Sequence, residues 1–222
     1  MLLPAIKVEP RGKADASIIW LHGLGADGHD FVDAIPGLGL PLDHGIKFIF
    51  PHAPKRPVTI NGGMVMPAWF DIAAIDLDAR QDEEGIRMAE GALNALIAEV
   101  LQEGIHAKRI ILIGFSQGGA LALHTALRSS EPLGGVAGLS TYLPLHSHLA
   151  KENITANKQI PIFMAHGMMD PVVPYWIGQK SYACLQGAGF SPEWYAYPMV
   201  HTVCLPELKD LGQWIQRHLT LQ

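Results

Sequence analysis

Arg109-Ile110-Ile111-Leu112-Ile113-Gly114-Phe115-Ser116-Gln117-Gly118-Gly119-Ala120 joins a β-branched apolar run to an Ala- and Leu-rich segment through the spacing Gly-x-Ser-x-Gly. The run predicts a strand and residues 117–128, which have no polar face, predict a helix buried beneath a sheet. A serine on so tight a strand-to-helix turn stands clear of the sheet, and only small residues two positions either side let the backbone close. The helix N-terminus beyond it aims N–H groups and a positive dipole end at developing negative charge. This stretch therefore fixes both a βα unit and a candidate nucleophile, Ser116.

Other short apolar runs repeat the strand signal. They are 18–21, 47–50, 135–139, 160–165 and 194–197, each bounded by a turn residue. Continuous apolarity rather than alternation predicts burial on both faces, as in a parallel sheet. Between Asp82 and Gly104, Ile86, Leu93, Leu96, Ile97, Val100 and Leu101 form one helical face, with Gly104 as the stop. Leu208, Leu211, Ile215 and Leu219 give the last helix a similar face. Strands alternating with helices predict an α/β fold with a mostly parallel central sheet flanked by helices. No Gly/Ser-rich linker or repeat divides the 222 residues, so a single domain over 1–222 with no separate lid domain is expected.

Composition narrows the function. Hydrophobic residues make up 49% and charged residues 17%, which excludes a disordered chain. The net charge is −5 with no basic stripe, so nucleic acid is not an expected partner. No apolar run reaches the length of a transmembrane segment. The opening MLLPAIKVEPRGK reads poorly as a signal peptide, because Lys7 and Glu9 follow its short apolar part. With only Cys184 and Cys204, read as small buried hydrophobes, the expectation is a cytoplasmic protein.

In α/β sheets chemistry gathers beyond the carboxyl ends of the strands. A serine hydroxyl needs a base to take its proton, and the expected chain order on such a sheet is Ser, then Asp or Glu, then His. The strand at 160–165 runs into His166-Gly167-Met168-Met169-Asp170, and that at 194–197 into Pro198-Met199-Val200-His201. His201 is thus the candidate general base and acid, and Asp170 the group that fixes its tautomer. Among the other histidines, His29, His44, His106 and His218 are expected to be solvated and His124 packed in its helix. His22 and His166 are expected to hydrogen-bond their loops. His146 and His148 have no flanking carboxylate or cysteine, so no metal site is expected there.

The loop Leu21-His22-Gly23-Leu24-Gly25-Ala26-Asp27-Gly28 can aim backbone N–H groups at one point. Acyl transfer requires donors on the tetrahedral oxyanion, and the candidates are the amides of Leu24 and Gln117. The loop also matches G-x-G-x-x-G, but Pro36 and the glycines around it interrupt the helix that dinucleotide binding requires.

These segments, with Asp170-Pro171-Val172-Val173-Pro174 and Tyr197-Pro198-Met199 to His201, resemble the phospholipase/carboxylesterase family of small α/β-hydrolases over nearly the whole chain. Residues 56–63, 66–71 and 139–144 are similar to its bacterial carboxylesterase branch. The resemblance implies an α/β-hydrolase fold, the triad Ser116, Asp170 and His201, oxyanion amides at Leu24 and Gln117, and neither metal nor cofactor. It also implies an acyl groove to which Trp69, Ile72, Ile75 and Val172 would contribute. Thr202 departs from the serine usual after the family's histidine. The function expected is a serine carboxylesterase acting on short- to medium-chain acyl esters. The alternatives are an acyl-protein thioesterase or lysophospholipase using the same triad, and more remotely a non-catalytic binder. The partner is then a small acyl ester or thioester, or a lipid-modified protein, with a homodimer expected only by analogy.

Overall fold

The computed structural model describes residues 3–152 and 155–220; Met1 and Leu2 of the N-terminal stretch lie outside them. The first strand, β1 (Ala5–Val8), is followed by β2 (Ala16–Leu21), β3 (Ile46–Pro51) and a hairpin of β4 (Lys55–Val58) and β5 (Met64–Pro67). Helix α1 (Glu83–Gln102), β6 (Ile110–Phe115), α2 (Gln117–Arg128), β7 (Gly135–Leu139) and α3 (His146–Glu152) come next. Then follow β8 (Ile162–Gly167), α4 (Tyr175–Gly187), β9 (Glu193–Tyr197) and α5 (Leu205–Leu219). The seven-stranded sheet has the order β1-β3-β2-β6-β7-β8-β9. Only β1 pairs antiparallel, against β3.

The continuous apolar runs are two-faced, as expected. Along β2 and β6, Ile19, Leu21, Ile110 and Leu112 enter one core, and Ile18, Trp20, Ile111 and Ile113 enter the other. Helices α1, α2 and α4 cover the first face, and α5 with a 3-10 turn at Val32–Leu38 covers the second. Every residue of α2 is buried, which accounts for its lack of a polar face. In α1 the predicted stripe is buried except Leu101, which is half-buried. Asp82 caps that helix by accepting from Gly85 N at 3.0 Å.

Several elements depart from the sequence reading. The strand expected at 160–165 begins at Ile162, because Pro161 has no N–H to donate, and it runs on through His166 and Gly167. β1 and the β4–β5 hairpin were not legible: their strands are four residues long and partly exposed. In α4 the buried face contains Gly178 and Ser181, so its apolar period is faint. Cys184 and Cys204 are free thiols, half-buried rather than buried. No described helix is long and apolar enough to cross a membrane.

Two helical glycines separate tight packing from slack. A Cβ at Gly212 of α5 would strike the Leu38 carbonyl, whereas one at Gly91 of α1 would meet nothing. Gly212→Ala should lower stability by about 1–3 kcal/mol through overpacking. Gly91→Ala should raise it by about 0.5–1 kcal/mol through lower chain entropy. Urea unfolding of both variants checks the opposite signs.

Candidate active site

β6 delivers Ser116 and α2 begins immediately after it. Ser116 has φ 54° and ψ −121°, a positive-φ conformation that a side-chain-bearing residue rarely adopts. Its cost is on the order of 1–3 kcal/mol. The flanking glycines make the turn possible. A Cβ at Gly114 would overlap the backbone of Gly118, and one at Gly118 would overlap the backbone of Leu21 and His22. Strand and helix therefore cross at near-contact distance, and the end of β2 is drawn up beside Ser116. The Ser116 carbonyl accepts from Ala120 N at 3.0 Å and from Thr141 Oγ1 at 2.6 Å.

The loops after β8 and β9 bring the other two expected residues to this point. His201 Nε2 lies 3.0 Å from Ser116 Oγ, and His201 Nδ1 lies 2.7 Å from Asp170 Oδ2. The Asp170 carboxylate is sealed from solvent. Its second oxygen accepts from Val172 N at 2.8 Å and Val173 N at 2.9 Å. One oxygen thus holds the turn and the other is left for the imidazole. His201 then carries its proton on Nδ1 and presents Nε2 as the acceptor for the serine hydroxyl. The Phe115 ring packs on the His201 ring at 4.7 Å and limits its tilt. This chain of bonds can move a proton from Ser116 to His201 and stabilise the resulting imidazolium.

The glycine-rich loop after β2 does not open an α-helix. The next helical turn is the 3-10 segment Val32–Leu38, with Pro36 inside it. Gly25 N donates to Pro67 O at 2.8 Å, which ties the loop to the β4–β5 hairpin. Neither Leu24 N nor Gln117 N donates a hydrogen bond among the described residues. Both are free to serve a ligand.

The expected acyl-groove residues divide. Trp69 is 2% exposed; its indole N–H donates to His22 O at 2.9 Å and its backbone N–H to Gln117 Oε1 at 2.9 Å. Ile72 is buried in the same core. Both side chains are thus buried, Trp69 is bonded to the scaffold, and Ile72 borders a small cavity with Phe70, Ala73 and Tyr142. Ile75 is half-buried and Val172, two residues from Asp170, is exposed, so these two remain available. Met169 and Val200, beside Asp170 and His201 in sequence, are exposed as well.

The remaining histidines follow their surroundings. His29 and His106 are exposed, but His44 and His218 are half-buried, a correction to the solvated reading. His148 Nδ1 lies 3.5 Å from Glu83 and 3.9 Å from Glu152, and His146 Nε2 lies 3.7 Å from Asp78. Folding therefore supplies carboxylates that sequence neighbours do not. Arg87 and Arg128 pair with Glu83 and Glu152 at 2.6–2.7 Å, and the ligand atoms of Glu83, His148 and Glu152 lie within 4.8 Å of one another, a grouping the sequence reading did not expect. A cavity of about 810 Å³, lined by Asp78, Asp82, Glu83, His146 and His148 among others, adjoins this network and contains neither Ser116 nor His201.

His22, His124 and His166 are buried, and burial lowers the pKa of each below the ordinary imidazole value. His166 Nε2 donates to Val173 O at 2.8 Å and so steadies the turn that holds Asp170. The sequence reading placed His22 and His166 as loop-bonding residues, which they are. It passed over Thr141, whose hydroxyl reaches the nucleophile's backbone from the end of β7. The signal was the Ser140-Thr141 pair where that strand stops.

The model of a family described as phospholipase/carboxylesterase matches residues 4–219. The chain is similar to acyl-protein thioesterase 1 of Neurospora crassa, 39% identical over 229 residues covering 99% of this chain and 91% of that protein. It is 35% identical to acyl-protein thioesterase 1 of Yarrowia lipolytica over 222 residues, covering 97% of each. Among solved structures it is similar to acyl-protein thioesterase 2 of Zea mays, with TM-score 0.84 and 32% identity over 97% of this chain and 99% of that one. A Bacillus cereus carboxylesterase, at TM-score 0.76 and 19% identity over 97% and 94%, shares the fold.

The three neutral buried histidines carry a consequence for acid stability. Their folded pKa values lie below about 6.5, so beneath that pH the unfolded chain binds more protons than the folded one. The histidine contribution to stability should be level above about pH 7 and fall as pH drops from 6.5 toward 5. Glu207, whose carboxyl burial raises to about 8, contributes with the opposite sign below that pH and offsets about one histidine. The slope should be at most about 1.4 kcal/mol per pH unit for each histidine kept neutral. Thermal melts between pH 7.5 and 5.0 check the direction.

Proposed function

The chain belongs to the phospholipase/carboxylesterase family and is a hydrolase of the α/β-hydrolase fold; on that premise we propose that it cleaves thioester-linked acyl groups from proteins, through an acyl-enzyme on Ser116. The observation that carries this reading is the pair of relatives, 39% and 35% identical over almost their whole lengths, that are both acyl-protein thioesterases. The Ser116–His201–Asp170 chain of bonds supports the chemistry. The short-ester carboxylesterase, which the sequence suggested first, now ranks second, because the carboxylesterase resemblance at 19% identity is one of fold alone. The two free cysteines fit action in the reducing cytoplasm.

In this reading Ser116 Oγ attacks the acyl carbonyl while His201 Nε2 takes its proton. The tetrahedral oxyanion is received by the N–H groups of Leu24 and Gln117. Collapse expels the cysteine thiol of the substrate, with the proton returned by His201. A thiol, with a pKa near 8.5, leaves far more readily than an alcohol. Water, activated by the same histidine, then releases the fatty acid. Ile75 and Val172 lie along the acyl chain, and the partner is the lipid-modified protein itself.

Three measurements test this. An S-octanoyl or S-palmitoyl cysteine peptide should be hydrolysed with higher kcat/KM than p-nitrophenyl acetate or butyrate; a preference for the short oxygen esters would return the carboxylesterase to first place. Ser116→Ala should reduce kcat by at least about 10⁴-fold on either substrate while the circular dichroism spectrum stays unchanged. Asp170→Asn should cost roughly 10⁴-fold in kcat. Its amide oxygen must face the Val172 and Val173 N–H groups, so its NH2 faces His201 and forces the tautomer whose Nε2–H cannot accept the serine proton.

A further inference from the structure

We infer that Thr141 and His22 are positioning residues of the oxyanion site, each holding from behind the peptide whose N–H faces the reacting carbonyl. The inference rests on the reading that Leu24 N and Gln117 N receive the oxyanion. A trans peptide is a rigid plane in which C=O and N–H point in opposite directions, and no peptide in the described chain is cis. Fixing a carbonyl oxygen therefore fixes the direction of the N–H on the other side of the bond. The N–H of Gln117 shares its peptide with the carbonyl of Ser116, and the N–H of Leu24 shares its peptide with the carbonyl of Gly23.

Both carbonyls are held by a buried side-chain donor. Thr141 Oγ1 donates to Ser116 O at 2.6 Å, and His22 Nδ1 donates to Gly23 O at 2.7 Å. Neither donor is free to turn. The Thr141 side chain lies so close to Gly119 and Gly138 that a Cβ on either would come within 2.9 Å of it. Ser140, with φ 46°, swings the chain off β7 so that Thr141 points back to the elbow. His22 Nε2 accepts from Ala53 N at 3.1 Å. A backbone N–H can only donate, so the ring proton sits on Nδ1 and is given to Gly23. The His22 ring packs against Trp69 at 5.0 Å, and the Trp69 indole N–H returns to His22 O.

Each held carbonyl also takes a second, backbone bond, from Ala120 N on Ser116 O and from Ala26 N on Gly23 O. A peptide that accepts at its oxygen is a stronger donor at its nitrogen, since linked hydrogen bonds polarise one another. The two side chains thus aim and strengthen the N–H groups without touching substrate.

The test pairs turnover with an alkyl trifluoromethyl ketone, a mimic of the tetrahedral state. Ser116 Oγ forms a bond to the ketone carbon as the C=O π bond breaks. The Oγ proton passes to His201 Nε2, and the negative oxygen enters the oxyanion site. Thr141→Val keeps the packed methyl and removes the donor. It should lower kcat roughly 5- to 10-fold, leave KM within about 2-fold, and weaken the ketone by the same factor as kcat. Thr141→Ser should restore both. At position 22, Asn places an amide NH2 near Nδ1 and Gln reaches instead toward Ala53, so His22→Asn should retain more activity than His22→Gln. A melting shift with unchanged kcat and ketone affinity in Thr141→Val would overturn the inference, as would a Thr141→Ser protein no better than Thr141→Val. Fluorophosphonate labelling of the wild-type chain, with Ser116→Ala as blank, separates the two levels. Labelled Ser116 with an indifferent Thr141→Val refutes the positioning alone; an unlabelled Ser116 refutes the reading beneath it.

Discussion

The crossing of β6 and α2 at Gly114 and Gly118 sets the geometry of the site. Backbone meets backbone there without room for a single methyl group, and the residue between them takes a conformation that chirality disfavours. Neither cost is recovered locally. It is offset by the complete burial of α2 and by the pairing of β6 with β2 on one side and β7 on the other. The strained serine is thus held by the most buried helix and the central strands of the sheet. The same crossing brings the end of β2, with His22 to Leu24, beside the first turn of α2. One close contact therefore places the candidate nucleophile and both candidate oxyanion peptides together.

Polar groups around this point spend almost all of their hydrogen-bonding capacity on the scaffold. Asp170 gives one oxygen to its own turn and one to His201. Gln117 receives Trp69 N on its amide oxygen and donates its amide nitrogen to Phe70 O at 2.7 Å. His166 holds Val173, and His22 bridges Gly23 and Ala53. In a buried site an unpaired polar group is expensive, so satisfying each one also leaves each with a single orientation. Unpaired there are the serine hydroxyl's lone pairs, the N–H groups of Leu24 and Gln117 that the proposed chemistry uses, and the buried Ser140 hydroxyl.

Much of this was legible because it is local. Gly-x-Ser-x-Gly, the apolar runs and the stripe from Ile86 to Val100 carry their structure in adjacent residues. The meeting of Asp170 and His201 with Ser116 was legible because strand ends in a parallel sheet share one edge. The misses depend on distant contacts. Trp69, expected along an acyl groove, has its two N–H groups fixed by His22 and Gln117, each more than forty residues away. The carboxylates near His148 come from α1 and from the far end of α3. Helix α4 hides its period because Gly178 must make room for the His166 ring, and a small residue leaves no hydrophobic mark.

The division between scaffold and surface also separates chemistry from specificity. Attack, oxyanion capture and histidine shuttling are the same for an ester and a thioester, so residues fixed by the sheet cannot choose between them. The leaving groups differ: a thiol departs with little help, whereas an alkoxide depends on a proton delivered in time. A thioester therefore reaches the acyl-enzyme more easily, and the later attack by water, which sees only the acyl chain, weighs more heavily on turnover. Selection then acts on what holds that chain in place while water arrives. In the function proposed, those contacts fall to the partly exposed residues Ile75 and Val172 and to the loops that bear them, outside the hydrogen-bonded core. Side chains on those loops can thus change the acyl preference while the bonds among Ser116, His201 and Asp170 stay as they are.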